Sequence, residues 1–172
     1  MRVNLGCGLK VIDGWVNMDK YPIDDRVWYC DVEDVFPLDD ESCDEILLDN
    51  VVEHIRDIPK LIREIDRCLQ PGGLVTIITP HFTSASSWRD PTHIQHLSFF
   101  SFDYLDSGHR SNYFSANLFV KQKYLSFPGG IMGLVGRLLF KLNPEAWEKK
   151  WCFMFRASTL RVVLAKPGAE HE

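Results

Sequence analysis

The stretch "VNLGCGLKVIDGWVNMDK", Val3 to Lys20, decides how the chain folds. A short apolar strand, Val3 to Leu5, runs into the turn Gly6-Cys7-Gly8. A second, Trp15 to Met18, ends on Asp19, eleven positions after Gly8. Gly6 and Gly8 let the backbone turn sharply and approach a ligand without a Cβ in the way. Asp19 is placed to accept hydrogen bonds from both hydroxyls of a ribose. The same residues also suit a plain tight turn between strands, so the rest of the chain has to choose.

Outward from this stretch, strand and helix signals alternate. Val27 to Cys30 reads as a third strand ending at Asp31, and Glu45 to Leu48 as a fourth ending at Asp49-Asn50. Ile58, Leu61, Ile62, Ile65 and Leu69 recur at helical spacing with charged residues between them. "QPGG" (Gln70 to Gly73) is expected to terminate this helix. "LVTIIT" (Leu74 to Thr79) suits a strand buried on both faces and ends at Pro80-His81. Such alternation implies a parallel α/β sheet, whose ligands sit beyond the carboxyl ends of the strands. Five strand ends in a row carry Gly or polar residues there, more than turn chemistry at one loop would explain. Later, Leu118 to Phe127 and Ser158 to Pro167 read as two further strands. The region 128–156 between them reads as an apolar helical insertion or cap followed by a Trp-rich turn, within a single domain spanning 1–172.

A dinucleotide site would share the glycine turn and the ribose acid. It needs a third glycine and a helix whose N-terminus holds the pyrophosphate. Here Val11 stands at the third glycine position, and Ile12 to Trp15 leave no room for a helix. A cofactor without phosphates fits better, with Asp31 placed for an adenine amino group.

With the segments "EHI" (Glu53 to Ile55), "PGG" (Pro71 to Gly73), "TPH" (Thr79 to His81) and "DPTH" (Asp90 to His93) following in order, residues 2 to 105 resemble the class I S-adenosylmethionine-dependent methyltransferases, type 11-like group. The resemblance implies a Rossmann-like doubly wound sheet of about seven strands, order 3-2-1-4-5-7-6, the last strand antiparallel. It implies S-adenosyl-L-methionine as cofactor. Gly6, Cys7 and Gly8 would line its methionine part, Asp19 would hold the ribose, Asp31 and Val32 would frame the adenine, and Asn50 and Val51 would flank the sulfonium. One departure stands out. The helix usual between the glycine loop and the acid is cut down to Leu9 to Gly14, and no helix precedes the first strand, so another segment or a second subunit has to close the methionine side. The rival readings are a non-catalytic module that binds the same cofactor and a nicotinamide-dependent oxidoreductase.

Methyl transfer to a hydroxyl requires a positioned nucleophile and a group to take its proton. His81 directly follows the fifth strand, and Asp90 and His93 lie in the next loop; histidine titrates in the useful range. These three are the candidate catalytic residues, though Asp90 also suits a structural turn or helix cap. His93 and His96, spaced i, i+3, with His81 and Asp90 near, raise a metal reading. Most hydroxyl acceptors need no metal with this cofactor, so no metal ligand is assigned. His54, on the "EHI" turn, is read as bonding to backbone.

Composition agrees with one compact globular domain. The 172 residues are 45% hydrophobic, carry a net charge of −5, and give no sign of attraction to nucleic acid. Five scattered cysteines without a CxxC pair argue against a disulfide framework or zinc ribbon and for a reducing compartment. No signal peptide or transmembrane run is visible, so a cytoplasmic location is expected. The acceptor is read as a small molecule or glycan. The apolar segment 131–142 is a candidate for peripheral membrane contact or self-association.

Overall fold

The computed structural model describes residues 1–105 and 115–168. Seven strands form one sheet: β1 (Arg2–Leu5), β2 (Val16–Asp19), β3 (Val27–Tyr29), β4 (Cys43–Asp49), β5 (Leu69–Pro80), β6 (Phe119–Leu125) and β7 (Thr159–Ala165). Their order is β3-β2-β1-β4-β5-β7-β6. β1 to β5 pair in parallel, and β7 runs antiparallel to both β5 and β6. The chain therefore steps outward from β1 to β3, returns, and leaves the other way from β4. The crevice where the order reverses, between the carboxyl ends of β1 and β4, is where such sheets bind ligands. Gly6 to Gly8 and Asn50-Val51 lie there.

One sheet face carries the main core. Val3, Leu5, Met18, Ile46, Leu48, Val75, Ile77, Leu160, Val162 and Leu164 pack under α1 (Ile58–Cys68). Asp57 caps α1 by accepting from the Lys60 backbone nitrogen at 2.8 Å, and Pro59 sits in the first turn where its missing N–H costs nothing. Leu61, Ile62, Ile65 and Cys68 point inward and are buried. Each of the larger three contributes a gross burial term of about 1.5–3 kcal/mol.

On the opposite face, the short connection from β1 to β2 takes the place of a crossover helix. Asn4 Nδ2 donates to Asn17 Oδ1 at 2.9 Å and to the Lys10 carbonyl at 2.8 Å. Asn17 in turn accepts from Ile12 N and donates to the Ile12 and Trp15 carbonyls. Two buried asparagines thus satisfy the loop backbone that a helix would have satisfied internally.

Two sequence expectations are corrected. β5 begins at Leu69, directly after α1, so "QPGG" is absorbed into the strand as an irregularity: only Asp44 lies between Cys43 and Glu45, opposite the four residues between Leu69 and Leu74. Gly72 takes φ +82°, and a Cβ on Gly73 would lie 2.8 Å from Leu69, so both glycines serve this kink. The Trp-rich turn is a helix, α4 (Pro144–Lys150), capped by Asn143, which accepts from Ala146 N at 2.9 Å. It packs with α3 (Gly130–Leu142), and Trp147 is buried against Phe127 and Phe140. α3 buries Gly133 and Gly136, packs Leu139 and Phe140 against the Trp147 cluster, and exposes most of its other large side chains. A Cβ on Gly133 would meet the Pro128 carbonyl oxygen at 1.8 Å, whereas Ile131, Leu134, Leu138 and Leu142 are exposed. Between β5 and β6 the described residues include one short α-helix, α2 (Ser86–Arg89), and a single 3-10 turn, Asp103–Leu105.

Candidate functional site

The glycine turn is built by β1 and β2 together. Gly6 N and Cys7 N both donate to the Met18 carbonyl, at 2.8 and 3.0 Å. Gly6 takes φ +70°, and a Cβ there would lie 2.5 Å from Val51 Cγ2. Gly8 takes φ +51° and has open space where its Cβ would be. Gly6 thus lets the β1 and β4 loops touch, while Gly8 is held in the left-handed region with open space beside it. Cys7 is buried, and burial pushes its thiol up from the ordinary value.

Asp19 closes the turn by accepting from Gly8 N at 2.8 Å and from Tyr21 N at 2.8 Å. A carboxylate offers about four acceptor positions, so two remain for an incoming pair of hydroxyls. Asp31 follows β3. Its carboxyl is held below the usual range first by the Lys20 ammonium at 2.6 Å and then by Glu33 N at 3.1 Å. The Lys20 partner carries no motif and was invisible in the sequence. Asn50 adopts φ +58°, which its short polar side chain tolerates. Its backbone N–H donates to Ile78 O at 2.8 Å, locking the end of β4 to β5.

These residues converge. Gly6, Asp19, Asp31, Val32, Asn50 and Val51 line one hollow of about 340 Å³, with Lys20, Tyr21, Cys30, His54 and Ile55 completing it, whereas Cys7 and Gly8 are not among its lining residues. Two larger hollows exist, of about 390 Å³ on the open sheet face around Tyr124 and Arg161 and about 460 Å³ beside Arg56 and Phe102. Neither gathers acids at strand ends. The hollow at the switch point does, and it fits a nucleoside without phosphates: carboxylates for hydroxyls, apolar Val32, Val51 and Ile55 for a base. No helix follows the glycine turn, so there is no N-terminus for a pyrophosphate, which argues against the dinucleotide reading.

Residues 10–77 match the model of a methyltransferase domain family. A search of curated proteins returns no match. Among solved structures, an S-adenosylmethionine-dependent methyltransferase from Archaeoglobus fulgidus superposes with TM-score 0.59 at 17% identity, covering 96% of this chain and 85% of that one. One from Mesorhizobium loti gives 0.55 at 17%, covering 96% and 90%. The chain has the class I S-adenosylmethionine-dependent methyltransferase fold. The cyclase SpnF is equally similar in shape, with TM-score 0.62 at 15% identity over 98% of this chain and 74% of that one. The methyltransferase fold by itself therefore does not name a reaction.

The three candidate catalytic residues part ways. His81 is fully buried. Its Nδ1 accepts from Thr83 N at 3.3 Å and lies 2.9 Å from Thr83 Oγ1, and its Nε2 faces Glu148 Oε2 at 3.3 Å. Both nitrogens are engaged inside the protein, which ties β5 to α4 and leaves no lone pair for a substrate. Glu148 is the other half of this tie. Burial raises its carboxyl, but His81, Ser98 Oγ and Phe99 N outweigh that and hold it below the ordinary value.

His93 is different. Its Nδ1 donates to the Ser87 carbonyl at 3.1 Å, which leaves Nε2 with a free lone pair. That nitrogen faces Asp90 Oδ2 at 3.9 Å and Glu53 Oε1 at 4.0 Å. Asp90 also accepts from Thr92 N at 2.9 Å, the turn-making role foreseen for it. His96, the suggested i, i+3 partner of His93, is drawn away: it stacks on Trp88 with ring centroids 3.6 Å apart and lies 2.9 Å from Ser87 Oγ. The ring beside His93 belongs instead to His54, at 4.7 Å between centroids. His54 Nδ1 donates to the Thr92 carbonyl at 3.3 Å, the backbone bond expected of it, and His54 also lines the cofactor hollow. Glu53 was overlooked. It precedes His54 in the 3-10 turn Val52–His54 that follows β4, and an acid beside a histidine just past a strand end was the available signal.

Proposed function

We propose that this protein transfers a methyl group from S-adenosyl-L-methionine to a hydroxyl of a small-molecule or glycan acceptor. The observation that carries this reading is the contiguity of the hollow lined by Asp19 and Asp31 with the His54–His93 pair, because His54 belongs to both. When bound, the cofactor supplies a methyl group made electrophilic by its sulfonium. The chain's own residues bind and orient. Asp19 accepts from the ribose hydroxyls, Val32 and Asp31 frame the base, and Gly8 leaves room for the methionine part, with Gly6, Cys7, Asn50 and Val51 shaping the walls. On the acceptor side, His93 Nε2 takes the hydroxyl hydrogen bond and then its proton, and Asp90 stabilises the imidazolium that forms. His81 is left to its buried tie with Glu148. Among the described residues no helix is long and apolar enough to cross a membrane. The exposed stripe of α3 supports the reading of a contact surface for a second copy or a membrane surface.

Calorimetric titration with S-adenosylhomocysteine and with NAD tests the cofactor. Binding of NAD alone overturns the reading. Transfer of labelled methyl from the cofactor to a panel of hydroxyl-bearing sugars tests the reaction, and unchanged turnover in His93→Ala removes His93 as the base.

A further inference from the structure

Glu53 sits where a carboxylate should not be left alone. Its residue is 1% exposed; Oε2 accepts from Thr79 Oγ1 at 3.0 Å, but Oε1 has no hydrogen-bond partner. Burial raises its carboxyl above the ordinary value. An unpaired buried acceptor of this kind costs on the order of 1–3 kcal/mol, more if it is charged. The orphaned oxygen is aimed at His93 Nε2, and one donor atom each from Glu53, His54 and His93 lie within 4.8 Å of one another.

We propose that Glu53, His54 and His93 form a binding site for a divalent transition-metal ion of the zinc type, with Asp90 as a further carboxylate on its exposed side. The donor set fits this class: two imidazoles and a carboxylate suit zinc, cobalt, iron or manganese, whereas magnesium prefers oxygen alone. Tautomers agree as well. Both histidines donate Nδ1–H to backbone carbonyls, His93 to Ser87 and His54 to Thr92, as metal-bound histidines do to fix the other nitrogen as the ligand. The spacing is close to what an ion needs. Two ligands each about 2.1 Å from a zinc ion are at most about 4.2 Å apart, so the 4.0 Å between Glu53 Oε1 and His93 Nε2 already fits, and the three donors, all within 4.8 Å of one another, need at most a small inward movement. The segment that carries His93 is already docked for it: Ile94 N and Gln95 N both donate to the Glu53 carbonyl, at 2.9 and 3.0 Å.

The ion's chemical use rests on the methyl-transfer reading; its binding does not. Beside the cofactor hollow, such an ion would hold the acceptor oxygen and lower the pKa of its hydroxyl. In its presence His93 is a ligand, and the proton leaves to Asp90 or to solvent as the oxygen–carbon bond forms and the carbon–sulfur bond breaks.

The test is titration of metal-free protein with cobalt(II), followed by visible absorption, and displacement by zinc. One equivalent of cobalt with ligand-field bands of a nitrogen–oxygen site is expected, with affinity weakened about 100-fold or more in His93→Ala and in Glu53→Gln. S-adenosylhomocysteine affinity, measured on the same samples, reports folding and the cofactor site separately. Should Glu53→Gln not fold, His93→Gln replaces it. Absence of cobalt binding, or binding that both variants retain, overturns the site. If either occurs while homocysteine-cofactor binding persists, the methyl-transfer reading stands without the metal.

Discussion

The Asp19 carboxylate accepts a hydrogen bond from the Gly8 backbone nitrogen at 2.8 Å, so the ribose acid and the glycine turn are one structure. Each holds the other in the geometry a nucleoside needs. Asp19→Ala therefore loses the ribose contacts and the support of the turn together. Its affinity for S-adenosylhomocysteine is expected to fall by about 1.5–3 kcal/mol, the range for hydrogen bonds to a charged group. Calorimetry checks this, and an unchanged affinity removes Asp19 from the site.

Gly6 and Gly8 separate by stability. Gly6→Ala brings a Cβ within 2.5 Å of Val51 and forces a left-handed backbone, whereas Gly8→Ala meets only the backbone cost. That cost alone is about 1–2 kcal/mol. Urea unfolding should place Gly6→Ala below Gly8→Ala, and Val51→Ala should restore part of the Gly6→Ala loss in the double variant. Equal stabilities would mean that the loop from β4 yields without resistance.

His81 is expected to matter for folding before it matters for turnover. His81→Ala removes one buried partner each from Glu148 and Thr83, a cost of about 1–3 kcal/mol read in thermal unfolding. Cofactor binding at a temperature where the variant is folded should be unchanged. A stable variant with abolished transfer would return His81 to the catalytic role.

Acid stability tests the tie beneath α1. Glu64 accepts from Arg67 and from Phe36 N, and the Arg67 guanidinium holds its carboxyl below the ordinary value. A depressed folded pKa means that the unfolded chain binds more protons, so stability rises with pH across that window. The contribution is whole above the unfolded value of about 4.3 and is lost as pH falls through the lower folded value. Arg67→Met should flatten the stability profile below about pH 4. An unaltered profile would show that Glu64 draws its shift elsewhere.

What the sequence determined by itself was local. Alternating apolar strands and the period of Leu61, Ile62 and Ile65 announce a parallel sheet with a helix over it, because inward-facing side chains recur at intervals of a few residues. Val11 in place of a glycine and the short span from Leu9 to Gly14 already excluded a phosphate-binding helix for the same reason, since both concern neighbours in the chain. The "QPGG" kink and α4 escaped because Pro, Gly and Trp report a break in the pattern, not what packing makes of it.

Only the tertiary structure decided which polar groups meet. His81, His93 and His96 look alike in sequence, within one sixteen-residue stretch. Packing buries the first against Glu148, stacks the third on Trp88, and delivers the second to Glu53 and His54, some forty residues earlier. The Lys20–Asp31 pair and the Asn4–Asn17 bond across β1 and β2 are of the same kind. A hydrogen bond or ion pair falls off within a few ångströms, and that proximity is set by how strands and loops are stacked, which no short-range pattern records.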